Sequence, residues 1–244
     1  MLSIILDRCK NGVFIENQKP KHRFPIVDQL RGFAVLLMII FHFSYDLAIF
    51  KFINLTFKRS DSFLWWIFPR VIVFLFLLSV GISLYLGHHK KIRWSPFWKR
   101  WLKVTLGAVF ISLSTYYMFP KRWVYFGTLH CISLCSILAL GLLRFKFFNL
   151  FLFLALFIPV IGFEKTIPWF VLPHRSMDYI PLFPWIGVVA LGIFLAKVDF
   201  HQLKTPDNSL TRSLSFLGKH SLLIYLVHQP ILFSLVWCVS KIFN

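Results

Sequence analysis

An all-α polytopic transmembrane bundle of about seven spans follows from three observations: an apolar composition, apolar runs near the length of a bilayer crossing, and basic residues gathered between those runs. Of 244 residues, 58% are hydrophobic and only 15% are charged, and the mean hydropathy is +0.72. A soluble domain needs a polar surface that this composition does not supply. Phe accounts for 30 residues and Trp for 9, as lipid-facing and interfacial positions favour.

The apolar runs cover residues 30–50, 63–86, 102–119, 125–143, 147–163, 181–197 and 217–240. Each approaches the ~20 residues that cross a bilayer, the fifth and sixth least closely. Backbone polar groups in lipid must be satisfied within the segment, so the runs are read as helices. Residues 1–24 form a basic cytoplasmic or interfacial lead-in, and residues 25–244 form the transmembrane domain. The apolar stretch at residues 2–6 is too short for a signal peptide, and no cationic region precedes it.

The formal charge of +18 would suggest nucleic acid on a soluble protein. Here the Lys and Arg residues punctuate apolar runs, so the partner they indicate is the lipid bilayer and not nucleic acid. With the N-terminus inside, roughly 17 basic residues face the cytosol and about eight face outward, as the positive-inside rule requires. That places the C-terminus outside. The inner loop after the second run holds Lys90, Lys91, Arg93, Lys99, Arg100 and Lys103. Cys131 and Cys135 share a helix face. They are too few for a metal site and read as buried, inert thiols, so no metal is expected. The outer loop 164–180 carries Glu164, Trp169, His174, Arg175 and Asp178. It is an ordinary aromatic belt or a contact for an external substrate.

The first run carries the chemistry. On a helix turning about 100° per residue, with Asp28 as origin, Arg31 falls at roughly 300°, His42 at about 320° and Asp46 back near 0°. All four ionisable groups lie on one stripe, which must face protein or water because a charge facing lipid costs at least ~3 kcal/mol. Arg31 sits near the cytoplasmic boundary, and His42 lies about 16 Å further along the axis. Asp46, one turn beyond, is spaced to fix the His42 tautomer. Arg70, His130 and His228 fall at related depths in the second, fourth and last runs, so these side chains suit one cavity between midplane and outer face. Taken singly, each has a plainer reading: a hydrogen-bonded core histidine, or an arginine that snorkels. Together they favour function, whether catalysis, a proton relay in a small-molecule transporter, or, with no chemistry, an envelope-assembly subunit.

The stretch VDQLRGFAVLLMIIFHFSYDL resembles the opening helix of the heparan-alpha-glucosaminide N-acetyltransferase catalytic-domain family. FPRVIVFLFLLSVGISLYL, FGTLHCISLCSIL, and YIPLFPWIGVVALGIFLAK with FLGKHSLLIYLVHQP resemble its later segments in order. The resemblance runs from about residue 23 to residue 235 and extends to the wider transmembrane acyltransferases, which carry an Arg and a His on the first helix as Arg31 and His42 do here. It implies an acetyltransferase of the bacterial inner membrane that takes an acetyl group from cytosolic acetyl-CoA to an amino sugar or other glycan acceptor outside. On that reading Arg31, beside Asp28, pairs with CoA phosphates, which Lys90, Lys91 and Arg93 concentrate at the inner face. His42, oriented by Asp46, is the base or acyl carrier, with Arg70 or His130 stabilising the oxyanion and His228 in the same cavity. The lysosomal relative uses a luminal His after its first helix. This sequence has no His from Ala48 to Arg70, which moves the base to His42. Larger relatives have ten or more spans, so this shorter chain encloses its site alone, completes it as a homodimer, or has lost the activity.

Overall fold

The computed structural model describes residues 24–55, 62–163 and 167–243. The lead-in lies outside them apart from Phe24, as do Cys9, Lys58, Arg59, Glu164 and Lys165. The described chain forms eight α-helices: α1 Pro25–Ile49, α2 Phe63–His88, α3 Trp94–Met118, α4 Thr128–Leu138, α5 Phe147–Phe163, α6 Leu182–Lys197, α7 Ser209–Lys219 and α8 Ser221–Phe243. Short 3₁₀ turns follow α4 and α6. An isolated parallel bridge between Phe126 and Tyr179 joins two loops.

Among the described residues, three helices are long and apolar enough to cross a membrane: Pro25–Ile49, Phe63–His88 and Ser221–Ile242. Shorter apolar helices occupy Thr128–Leu138, Phe147–Phe163 and Leu182–Lys197. α3 has 25 residues, but Lys99, Arg100 and Lys103 in its first half, and Ser, Thr and Tyr in its second, make it less apolar. Two expected runs need correction. The run 125–143 is not one helix: α4 has 11 residues, or about 16 Å, and a 3₁₀ turn, Gly141–Arg144, continues it. The run 217–240 is cut at His220, and its first residues belong to α7.

α2 and α6 form the centre of the bundle, and glycines set how closely they approach. A Cβ on Gly81 would stand 2.1 Å from the Val189 carbonyl oxygen, and one on Gly192 would stand 2.3 Å from that of Leu78. Around this crossing, Leu77, Ile82, Val188, Val189 and Ile193 are fully enclosed. Such small-residue crossings replace the hydrophobic drive that lipid removes. α5 packs on α6 and turns Phe147, Phe151, Ile161 and Phe163 outward, as a lipid-facing helix does. α7 is amphipathic. Its start is fixed by Asn208 Oδ1 accepting from Thr211 N at 2.9 Å while Thr211 Oγ1 accepts from Asn208 N at 3.1 Å, a reciprocal cap. It packs against the first half of α1, and α8 packs beside the second half. Every group on the α1 stripe is thereby enclosed by α7, α2 or α8.

Candidate functional site

At the N-terminal end of α1, Arg31 works as a fork. Its Nη1 donates to Asp28 Oδ1 at 3.3 Å and to the Gly218 carbonyl at 3.3 Å, and its Nη2 donates to Ser83 Oγ at 3.0 Å. One side chain thus ties α1 to α7 and α2. The close approach follows from Gly32 and Gly218, which stack the backbones of α1 and α7 directly on each other. Arg100 on α3 lies within electrostatic range of Arg31. It lines a cleft with His88, Phe97, Trp101, Ile132 and Ser136. Lys90, Lys91 and Arg93 are exposed in the adjoining α2–α3 loop. This end of the bundle is cationic.

Further along α1 the stripe meets α8. The rings of His42 and His228 meet edge to face, with centroids 4.8 Å apart. His228 Nδ1 lies 2.7 Å from the Tyr225 carbonyl oxygen. A carbonyl oxygen only accepts, so Nδ1 carries the proton and Nε2 is the basic nitrogen. Asp46 is fully buried. Its Oδ1 accepts from Gln229 Nε2 at 3.0 Å. The i,i+4 spacing on α1 leads one to expect the carboxylate to hold the His42 ring. The structure instead gives it to a neutral amide on α8, because Gln229 reaches across the seam with a donor. The partner set beside His42 is His228.

Beyond this seam, in the loop between α5 and α6, Asp178 Oδ2 accepts from Thr128 N at 2.9 Å, Thr128 Oγ1 at 3.1 Å and Tyr225 Oη at 3.5 Å. It thereby caps α4 and ties it to α8. His130, on the first turn of α4, receives the Gly127 N–H at Nδ1, 3.2 Å, and contacts Ser112 Oγ at 3.0 Å through Nε2. Both its nitrogens are occupied, Nδ1 in capping α4 and Nε2 in joining it to α3, and among the described residues no hydrogen bond or ring contact links it to His42. Arg70 is exposed, lies 3.7 Å over the Trp66 ring and donates to the Trp66 carbonyl. In the loop after α5, His174 stacks on Trp123 and abuts Tyr125, with centroids 5.5 and 5.1 Å away. Cys131 and Cys135 are fully buried, with sulfurs 3.7 Å apart.

Burial pushes the Asp178 carboxyl above the usual aspartate range, against the pull of the Thr128 and Tyr225 donors. An acid with a raised folded-state pKa takes up a proton on folding. Its contribution is therefore best below the ordinary aspartate value and worsens as pH rises through the folded one. Asp178→Asn, neutral throughout, is expected to gain stability relative to wild type as pH rises from about 4. Melting both proteins in detergent across pH checks this, and a difference independent of pH would contradict it.

The structure therefore brings together His42, His228 and Asp46 at one seam and holds Arg31 with Asp28 nearer the N-terminal end of α1. It leaves Arg70 and His130 engaged elsewhere. Gln229, Tyr225, Ser83 and Thr128 were missed by sequence reasoning. A spacing signal existed for two of them, since Tyr225 and Gln229 stand three before and one after His228 in LIYLVHQP.

Long apolar helices that turn their ionisable side chains onto shared seams are the build of a membrane protein. The chain belongs to the heparan-alpha-glucosaminide N-acetyltransferase catalytic family, whose model matches residues 23–230. Arg31, His42, Asp46, His228 and Gln229 all fall inside the matched region, and the family places the chain among membrane acyltransferases. No curated protein and no solved structure matches it.

Proposed function

We propose that this protein transfers an acetyl group from cytosolic acetyl-CoA to an amino sugar or other glycan acceptor on the outer side of the bacterial inner membrane. The observation that carries the reading, given the family, is the arrangement along α1: a forked arginine at a cationic end and paired imidazoles, His42 and His228, about 16 Å deeper. The orientation with the N-terminus inside, drawn from loop charge, puts the cationic end where a polyanionic cytosolic donor arrives. An odd number of crossings, about seven in this reading, leaves the C-terminus outside.

In this reading, Arg31 and Arg100 meet the CoA phosphates, and Lys90, Lys91 and Arg93 raise the local donor concentration. The thioester end extends toward His42. His42 removes the proton of the acceptor amine or hydroxyl as it attacks the thioester carbonyl. His228, held as the Nδ1–H tautomer by the Tyr225 carbonyl, offers its Nε2 to the same proton.

Membranes expressing the chain and supplied with radiolabelled acetyl-CoA are expected to label an envelope glycan or lipid-linked sugar. At sub-saturating donor, Arg31→Ala is expected to lower the rate about 10- to 100-fold, the value of a charge-assisted hydrogen bond. Arg31→Lys retains the charge but not the fork and should fall between. Absence of label from every fraction, with folded protein present, would overturn the acetyltransferase reading. The paired imidazoles would then favour a proton-coupled transporter.

A further inference from the structure

Three buried polar atoms at the α1–α8 seam have no hydrogen-bond partner among the described residues: Asp46 Oδ2, Gln229 Oε1 and His228 Nε2. With Asp46 ionised all three are acceptors, and for Gln229 and His228 the rest of the side chain fixes that role. Gln229 commits its amide nitrogen to Asp46 Oδ1, which leaves its oxygen as the unmatched end. His228 commits its proton to the Tyr225 carbonyl through Nδ1, which leaves Nε2 as the basic nitrogen. A carboxylate has only acceptor oxygens. The groups lie along one seam: Asp46 and Gln229 are bonded across it, and the His228 ring meets edge-on the ring of His42, which stands one turn from Asp46 on α1.

Buried polar atoms are paired in native proteins with few exceptions, so a cluster that is uniformly acceptor selects a ligand by its donors. The two halves of an acetyl transfer differ in this respect. The reacting end of an acetyl thioester, a carbonyl oxygen and a sulfur, offers no N–H or O–H. The nucleophilic group of the acceptor does. We infer that Asp46, Gln229 and His228 form the seat of the acceptor's N–H or O–H nucleophile, with the thioester arriving from the Arg31 end on the other side of His42. This inference rests on the acetyl-transfer reading and assigns each substrate its wall.

The step balances without a further reactant. The acceptor's N–H and O–H groups are held by Asp46 Oδ2 and Gln229 Oε1, with the nucleophilic X–H, where X is nitrogen or oxygen, directed at His228 Nε2. The X lone pair attacks the thioester carbonyl carbon and the X–H proton passes to the His42–His228 pair. The X–C bond forms, the C–S bond breaks with its electron pair on sulfur, and the thiolate takes the proton back from the imidazolium to leave as CoA thiol.

The test uses the full chain purified in detergent, radiolabelled acetyl-CoA, and as acceptor the membrane-extract fraction that wild type labels. Asp46→Asn puts an amide N–H₂ group where one carboxylate oxygen stood. Gln229→Met keeps length and volume and removes both the bond to Asp46 and the orphaned oxygen. Each is expected to raise the half-saturating amount of acceptor extract at least about tenfold, while acetyl-CoA raises the melting temperature as much as in wild type. Wild-type half-saturation by the acceptor in a folded Gln229→Met protein would overturn the inference. So would loss of acetyl-CoA stabilisation in step with transfer, since the seat would then serve the donor. Where Asp46→Asn does not fold, Gln229→Met decides alone. A wild type that labels nothing overturns the acetyl-transfer reading and this inference with it, whereas an active wild type with unaltered variants overturns this inference only.

Discussion

Alanine at Gly218 or at Gly32 is expected to prevent accumulation of folded protein. A Cβ on Gly218 would stand 1.8 Å from the Asp28 carbonyl oxygen, and one on Gly32 would stand 1.8 Å from that of Leu214. Both obstacles are backbone, so no rotamer change relieves them, and α1 and α7 must separate. Separation also withdraws the Gly218 carbonyl from Arg31 and leaves a partly buried guanidinium short of an acceptor. Overpacking alone costs about 1–3 kcal/mol, and a weakened charged hydrogen bond adds about 1.5–3 kcal/mol. Together they come to about 2.5–6 kcal/mol, which at its upper end reaches the roughly 5 kcal/mol of a marginally stable domain. Gly87→Ala is the control, because nothing stands within 4 Å of a Cβ placed there. In α2 it should be neutral or stabilise by up to about 1 kcal/mol. Size-exclusion profiles of detergent extracts and melting curves of any recovered protein measure the difference. A Gly218→Ala protein that melts with wild type would show that the α1–α7 crossing is looser than described.

The α1 stripe was legible in the sequence because helical periodicity fixes which residues share a face, and charges among Leu, Ile and Phe stand out. Periodicity does not choose partners across helices. Asp46 sits one turn from His42, and that spacing permits a pairing, yet Gln229, 183 positions away, takes its Oδ1. Gln229 is a neutral amide before a proline in an apolar run, so hydropathy gives it no weight. α7 was hidden for another reason: it is an 11-residue amphipathic helix, and a reading tuned to bilayer-length runs assigned its end to the next span. In α4 the apolar run outlasted the helix, because side-chain hydropathy continues through the turn that ends it. His130 looked catalytic on depth alone. Its position on the first turn of α4, where N–H groups lack intrahelical partners, is what draws its ring onto Gly127.

His42→Ala is expected to lower acetyl transfer by about 10²- to 10⁴-fold, the range of a positioned general base, with little change in the donor concentration that half-saturates. The ring is half-buried and makes no hydrogen bond among the described residues, so removing it leaves no partner unsatisfied and the fold should survive. Its closest chemical neighbour is the His228 ring, and that contact makes the double variant informative. If the two imidazoles handle one proton between them, His228→Ala alone is also deleterious, and His42→Ala with His228→Ala is scarcely worse than His42→Ala. If His228 serves only to pack α8, its loss multiplies with that of His42 and appears equally in the melting temperature. Initial rates at saturating acetyl-CoA for the four proteins, beside their melting curves, separate the cases. A folded His42→Ala protein with wild-type transfer would remove the base from α1. The forked Arg31 would then remain as a donor-side anchor, and the acyl-transfer step would require a proton acceptor other than the α1 histidine.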